Sequence, residues 1–344
     1  MKAVLLKAFG DAQNFSDGES PLPELRARDV LIRVKAVGFN PIDYQVRTSG
    51  FDNLAAPIVL GFEVSGIVER VGPGVSSFRT GDKVMAWLGG PSLAGGYAEF
   101  AVAPEDFVAR MPANLTFAEA AGVPLGALTA LRGLQRSGLT PEKSLLIAGG
   151  SGGVGSWAIL LAAAMGHRGV VTTAGSDNSA GYIEERLGVP RTNILRYRGL
   201  QRAALAAEAT RLNQGALFDI ALDCVGDSMT RLCCDAVDFG GTVVSIVNGP
   251  RVNPNAGELA DEDILFNKSA SFHFELIFAQ TEYAPERPTD SYAEDLRRIA
   301  ALIEAGSLRL PRITEIGTLS AATVQAAHQS LETGHMTGKL VATV

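Results

Sequence analysis

The residues best suited to chemistry lie in one glycine-rich turn, Gly149-Gly150-Ser151-Gly152-Gly153-Val154-Gly155. The spacing Gly150-x-Gly152-x-x-Gly155 fits the turn that binds a dinucleotide. Glycines at these places allow a tight bend, a close approach of backbone to pyrophosphate, and close packing of helix on strand. Ser151, Gly153 and Val154 complete the candidate cofactor loop. The chemistry makes a demand on the flanks: a strand must enter and a helix must leave, so that free N–H groups and the positive dipole end face the phosphates. Both flanks comply. Leu145-Leu146-Ile147-Ala148 is a short apolar run suited to a buried parallel strand. Residues 158–165, AILLAAAM, form helix readily, and Gly166 suits its C-terminal stop. A plain glycine-rich turn shares the spacing; the strand before it and the helix after it favour the dinucleotide reading.

The rest of the chain must position this unit. Its 344 residues are too many for one ordinary core and fit two domains. A net charge of −7 argues against nucleic acid and against an anionic membrane surface as partners. No apolar run approaches the ~20 residues that span a bilayer, and MKAVLLKAFG is too soon interrupted for a signal peptide. Cys224, Cys233 and Cys234 form no disulfide framework and no CxxC pair, so a reducing, cytoplasmic setting is expected. Residues 1–110 read as short strands with Gly and Pro punctuation: 2–8, 30–37, 57–71, 83–86 and 97–103. From Thr116, which with Glu119 forms a capping box, the pattern changes. A helix at 125–134 leads into strands at 145–148, 170–173, 217–224 and 242–247 that alternate with helices, the doubly wound pattern. Residues 271–280 are expected as its edge strand. Ser291 with Glu294 is expected to cap a helix to about Ala305, and Ser320 to start the last one.

Read together, the residues resemble the medium-chain dehydrogenase/reductase superfamily, in its zinc-free quinone oxidoreductase branch. The matches run the length of the chain: Gly38-x-Asn40-Pro41-x-Asp43, Pro57-x-x-x-Gly61-x-Glu63-x-x-Gly66, Gly81-Asp82-x-Val84, Gly95-Gly96-Tyr97-Ala98-Glu99, Ala120-Ala121-Gly122-Val123-Pro124, the nucleotide turn, Gly240-Gly241-Thr242 and Gly338-Lys339-Leu340-Val341. The resemblance implies an α/β fold: a GroES-like β-rich catalytic domain, with an inserted Rossmann domain of doubly wound parallel sheet. The expected divisions are 1–124, 125–280 and 281–344.

Where zinc members of the family carry Cys, His and Cys, this chain has Asn40, Phe62 and Leu125. Zinc needs nitrogen, sulfur or oxygen donors in a tetrahedral array, and Phe and Leu supply none. No metal is expected. Asn40 and Tyr44, beside the former zinc position, are the candidate donors to a substrate oxygen, with Tyr44 a possible general acid. A packing role for Tyr44 is nearly as good a reading. Asp43 is expected to cap or orient the helix there. Thr129 resembles a residue that touches nicotinamide, and Lys339 one that closes over the cofactor, although a surface lysine would read the same way.

NAD enzymes place a carboxylate about 20 residues past the glycine turn to bond the ribose 2′-OH. Here the strand ends in Ala174-Gly175-Ser176. Asp177 reads as a cap or turn residue, and is the one residue able to overturn the choice of NADPH. The resemblance implies that Ser176 and Tyr197 contact the 2′-phosphate. The family's lysine is missing, and Arg196 or Arg198 is the candidate to replace its charge; solvated loop arginines are an equal reading. Val225 and Val247, at the ends of their strands, complete the cofactor set. The expected activity is transfer of hydride from NADPH to a quinone or α,β-unsaturated carbonyl. The alternatives are a 2-enoyl-thioester or alkenal reductase, and a non-catalytic, crystallin-like NADPH-binding protein. Family likeness also implies a homodimer through residues 271–280.

Overall fold

The strand Asp29–Phe39 carries the first unit, because almost every residue along it is buried and it pairs on both sides. In the computed structural model, residues 1–51, 54–90, 95–247, 261–334 and 336–344 are described. The chain divides into two compact units, Met1–Leu128 with Ile277–Val344, and Thr129–Leu276, against the expected breaks after 124 and 280.

The first unit is a GroES-like β structure. Its seven-stranded sheet runs Ile313–Thr318, Lys339–Thr343, Asp29–Phe39, Glu63–Val71, Lys83–Trp87 and Val108–Arg110, with Phe100–Pro104 also pairing Asp29–Phe39. A smaller sheet holds Phe15–Glu19, Lys2–Leu6 and Ile58–Val59. The register matters for chemistry. Gly38 faces Glu63 on one side and Val341 on the other, while Leu340 faces Phe39. Segments some 300 positions apart in sequence are thereby brought into adjacent rungs. Gly38 has a specific reason to lack a side chain: a Cβ there would lie 2.4 Å from both Glu63 Oε1 and the Ala121 carbonyl oxygen.

The second unit is a six-stranded sheet, parallel throughout. Its spatial order is Ile194–Arg196, Val171–Ala174, Leu145–Ala148, Phe218–Asp223, Val237–Ser245 and Ser271–Phe274. In chain order that is 3-2-1-4-5-6, the doubly wound arrangement in which ligands bind outside the carboxyl ends where the order reverses. The apolar runs that read as buried strands are buried: all four residues of Leu145–Ala148 and of Val171–Ala174.

Several local readings hold. Thr116 and Glu119 form the expected capping box, and Ser320 caps the last helix through the amide of Thr323. Gly188, in left-handed conformation, ends the helical segment before it. Two readings need correction. The edge strand stops at Phe274, because Glu275 turns inward to accept from Arg136 Nε at 2.5 Å, and residues Ala279–Tyr283 form a short helix. The helix Asp290–Glu304 starts at Thr289, whose hydroxyl donates to Asp106 Oδ2 and leaves no side-chain cap. No helix among the described residues is long and apolar enough to cross a membrane. The three cysteines are free thiols.

Candidate active site

In the second unit the glycine turn is shaped by contacts that tolerate no side chain. Gly149 has φ +85°, donates its amide to Thr173 Oγ1 at 2.8 Å, and lies under Val225. A Cβ on Gly150 would lie 2.1 Å from Thr172 Oγ1, and one on Gly155 2.1 Å from the Gly149 carbonyl oxygen. Gly152 differs: a Cβ there would meet only the Gly149 oxygen, at 3.5 Å. It is the N-cap of the helix Gly153–Ala164 and offers no side-chain cap. The amides of Gly153, Val154 and Gly155 therefore have no intrahelical acceptor. That is the cradle a pyrophosphate needs, so the residues fit a dinucleotide.

At the next strand ends stands a group that sequence reading missed. Asp223 is fully buried and accepts four bonds: from the amides of Val225 and Gly226 at 2.9 Å each, the Thr230 hydroxyl at 2.6 Å and the Ser245 hydroxyl at 3.0 Å. It fixes the bend that holds Val225, half exposed, over Gly149, with Val247 packed against Gly226. An aspartate closing the apolar run LFDIALD three residues before a glycine was its signal.

Beyond the second strand, Ser176 is the N-cap of the helix Asp177–Tyr182, its hydroxyl accepting from the Ser179 amide. Asp177 is thus the first helical residue rather than the cap. The Tyr197 hydroxyl lies 2.6 Å from where a Gly175 Cβ would stand, so ring and backbone are in contact. Arg196 is tied to this corner: it donates to Asp177 Oδ1, which also accepts from Arg191 at 3.2 Å. The hydrogen bond from Arg196 is the first cause holding the Asp177 carboxyl below its ordinary range. Arg191 was not foreseen.

In the first unit, Asn40 caps the helix Pro41–Ser49; its amide donates to Asp43 Oδ2 at 2.6 Å, and Pro41 takes the first helical position. Its side chain is 3 % exposed and held from two sides. Nδ2 donates to Glu63 Oε1 at 2.7 Å, and Oδ1 accepts from Lys339 Nζ at 2.5 Å. Lys339 departs from both sequence readings. It is buried, and its three protons go to Asn40 Oδ1, to Glu63 Oε1 at 2.5 Å and to the Phe39 carbonyl at 3.2 Å. No proton remains for a cofactor. Glu63 Oε2 accepts from the Leu125 amide at 2.8 Å. Tyr44 is half-buried, and among the described residues its hydroxyl has no partner. Thr129 lies buried on the helix Pro124–Arg136.

Beneath the cap, the Tyr97 hydroxyl pairs with His328 Nε2 at 3.2 Å, and the side chains of Asp43, Tyr97 and His328 are all fully buried. His328 is thus a structural histidine. His335 lies outside the described residues. Burial pushes the Asp43 carboxyl up to about 7, and burial with Arg47 nearby pushes His328 down to about 3. The signs oppose. From about pH 4 to 7 the folded chain keeps a proton on Asp43 that the unfolded chain has lost. Its contribution is full at low pH and falls by about 1.4 kcal/mol per pH unit on the way up. From about pH 3 to 6.5 the unfolded chain holds the extra proton on His328, so that contribution rises with pH. The two offset each other between about pH 4 and 6.5. Asp43→Asn should expose the histidine: urea midpoints measured over this range should climb with pH more steeply than in the parent. Parallel curves would contradict the buried proton.

Among the described residues no three His, Cys, Asp or Glu side chains gather to hold a metal. Phe62 and Leu125, at the positions where zinc relatives carry ligands, are buried apolar side chains.

A GroES-like β unit interrupted by a doubly wound unit with this glycine turn defines a two-domain dehydrogenase. Residues 26–113 match the family described as alcohol dehydrogenase GroES-like domain, and residues 192–341 that described as zinc-binding dehydrogenase. The 2-methylene-furan-3-one reductase of Solanum lycopersicum is 32% identical over 93% of this chain and 73% of its own. The chloroplastic NADPH-dependent alkenal/one oxidoreductase of Arabidopsis thaliana is 30% identical over 99% and 79%. The structure of the quinone oxidoreductase from Coxiella burnetii superposes with a TM-score of 0.81 at 30% identity, covering 100% of this chain and 99% of that one. The chain belongs to the medium-chain dehydrogenase/reductase superfamily, among its quinone and enone oxidoreductases, and is an oxidoreductase enzyme.

Proposed function

We propose that this enzyme reduces a quinone or an α,β-unsaturated carbonyl with NADPH and without zinc. The observation that carries the reading is the position held by zinc ligands in relatives. Of the three positions, one is an amide fixed by a buried ion pair and two are buried apolar side chains, and among the described residues no set of metal donors gathers. Bound at the glycine turn, the reduced nicotinamide would supply the hydride. The amides of Gly153, Val154 and Gly155 would hold the pyrophosphate. Val225 and Val247 line the strand ends, and Thr129 stands as a candidate nicotinamide contact. Asn40 donates to the acceptor oxygen as negative charge builds there. Tyr44, whose hydroxyl has no partner among the described residues, is the candidate proton donor to the product.

Ser176, Tyr197 and Arg196 are the proposed 2′-phosphate contacts, and the name of the Arabidopsis relative supports NADPH. Arg196 has to trade its bond to Asp177 for one to phosphate. Charged hydrogen bonds contribute roughly 1.5–3 kcal/mol, so Arg196→Gln should lower kcat/KM for NADPH about 10- to 100-fold and leave NADH unchanged. Equal loss with both cofactors, or a parent that prefers NADH, would overturn the assignment.

The short edge strand Ser271–Phe274, with Phe274 largely exposed, supports a homodimer seam. Phe274→Glu should then convert dimer to monomer in light scattering, whereas a parent that is already monomeric removes the seam. Three free thiols support a cytoplasmic setting.

A further inference from the structure

The Lys339–Glu63 pair has a geometry that bears on chemistry as well as on packing. An ammonium can only donate and a carboxylate can only accept. The Asn40 amide lies between them, so it has one permitted orientation: oxygen to Lys339, nitrogen to Glu63. The ammonium also touches Glu63 Oε1, the same oxygen that receives the Asn40 proton. Among the described residues the second Nδ2 proton has no acceptor. A cation at a carbonyl oxygen draws electron density out of the amide and makes its N–H groups stronger donors.

We propose that Lys339 and Glu63 are positioning residues that orient and polarise Asn40, so that its second Nδ2 proton is aimed at the acceptor oxygen. The proposal rests on the reductase reading above. Hydride adds to the electron-poor carbon, the displaced π electrons move onto the oxygen, and the amide proton stays on nitrogen while it stabilises that charge. A proton from Tyr44 or water then completes the hydroquinone or saturated carbonyl. The cofactor is oxidised by the two electrons the acceptor gains. The lysine thus supplies, through one amide, positive charge where zinc relatives have a metal.

Removing Lys339 alone would leave Glu63 buried and uncompensated, so the working variant is the neutral pair Lys339→Met with Glu63→Gln. Infrared difference spectra of cyclohexenone bound without reduced cofactor read the carbonyl stretch. The parent should lower that stretch, and the neutral pair should lose most of the shift. In turnover, the neutral pair should lose about tenfold in kcat, more for enones with strongly basic product oxyanions and less for high-potential quinones, with KM for NADPH unchanged. A parent-like carbonyl stretch, or the same loss for every acceptor, would reduce the pair to packing. A raised KM for NADPH with kcat intact would make Lys339 a cofactor contact and overturn the proposal. Absence of both carbonyl shift and turnover in the parent would overturn the reductase reading, and the pair's role with it.

Discussion

Replacing Gly155 by alanine should cost the enzyme its dinucleotide. The new Cβ would stand 2.1 Å from the Gly149 carbonyl oxygen, 2.8 Å from its carbon and 2.9 Å from Gly150 Cα. These are backbone atoms and no rotamer relieves them. The helix Gly153–Ala164 must therefore lift off the turn, and the first-turn amides move with it. Losing several oriented N–H groups and the dipole end together should weaken NADPH binding by at least a hundredfold, or about 3 kcal/mol. Titration of NADPH fluorescence reads it directly. Gly152→Ala is the companion variant. Its Cβ meets the protein only at 3.5 Å, so the fold should be kept while binding falls, because the methyl stands in the approach of the phosphates. Parent-like affinity in Gly155→Ala would mean that the dinucleotide lies elsewhere.

The second large effect concerns Glu63. Its carboxylate is fully buried and answers three donors: Lys339 Nζ, Asn40 Nδ2 and the Leu125 amide. Glu63→Ala strands a buried ammonium, and also leaves an amide proton and a backbone N–H without acceptors. Breaking a buried pair from one side costs about 3–5 kcal/mol, enough to lower the unfolding temperature of this unit by roughly ten degrees. Glu63→Gln, which keeps the volume and one acceptor, should cost less. Calorimetry of the two variants tests the order. An unfolding temperature for Glu63→Ala within a degree or two of the parent would show that the network carries little stability.

Much of the second unit was legible because its signals are local. A strand, a turn of fixed glycine spacing and a helix follow one another within twenty-odd residues. In the first unit the capping box at Thr116 and the N-cap at Ser320 were legible for the same reason, each lying within a single helical turn. The edge strand misled because SFHFELIFAQ is apolar enough to continue. What ends it is Glu275, turned to arginines on a helix about 140 residues earlier. Lys339 was the harder case. A lysine after glycine at a strand start reads as a cleft or surface residue. Its burial follows from a three-strand register that sets Phe39, Glu63 and Leu340 on neighbouring rungs. The pairing of Tyr97 with His328 spans 231 positions and leaves no pattern in either segment. Asn40, Asp43 and Glu63 were visible as a motif. Their division of work, with Asp43 serving the helix cap and Glu63 serving the amide, required the hydrogen bonds.

The most direct test of the account is a single-turnover reaction of chelator-treated, metal-analysed enzyme, loaded with NADPH and mixed with 1,4-benzoquinone or acrolein. The account predicts stoichiometric loss of the reduced nicotinamide absorbance, at the same rate before and after chelation. Activity that disappears with the chelator and returns with zinc would contradict it.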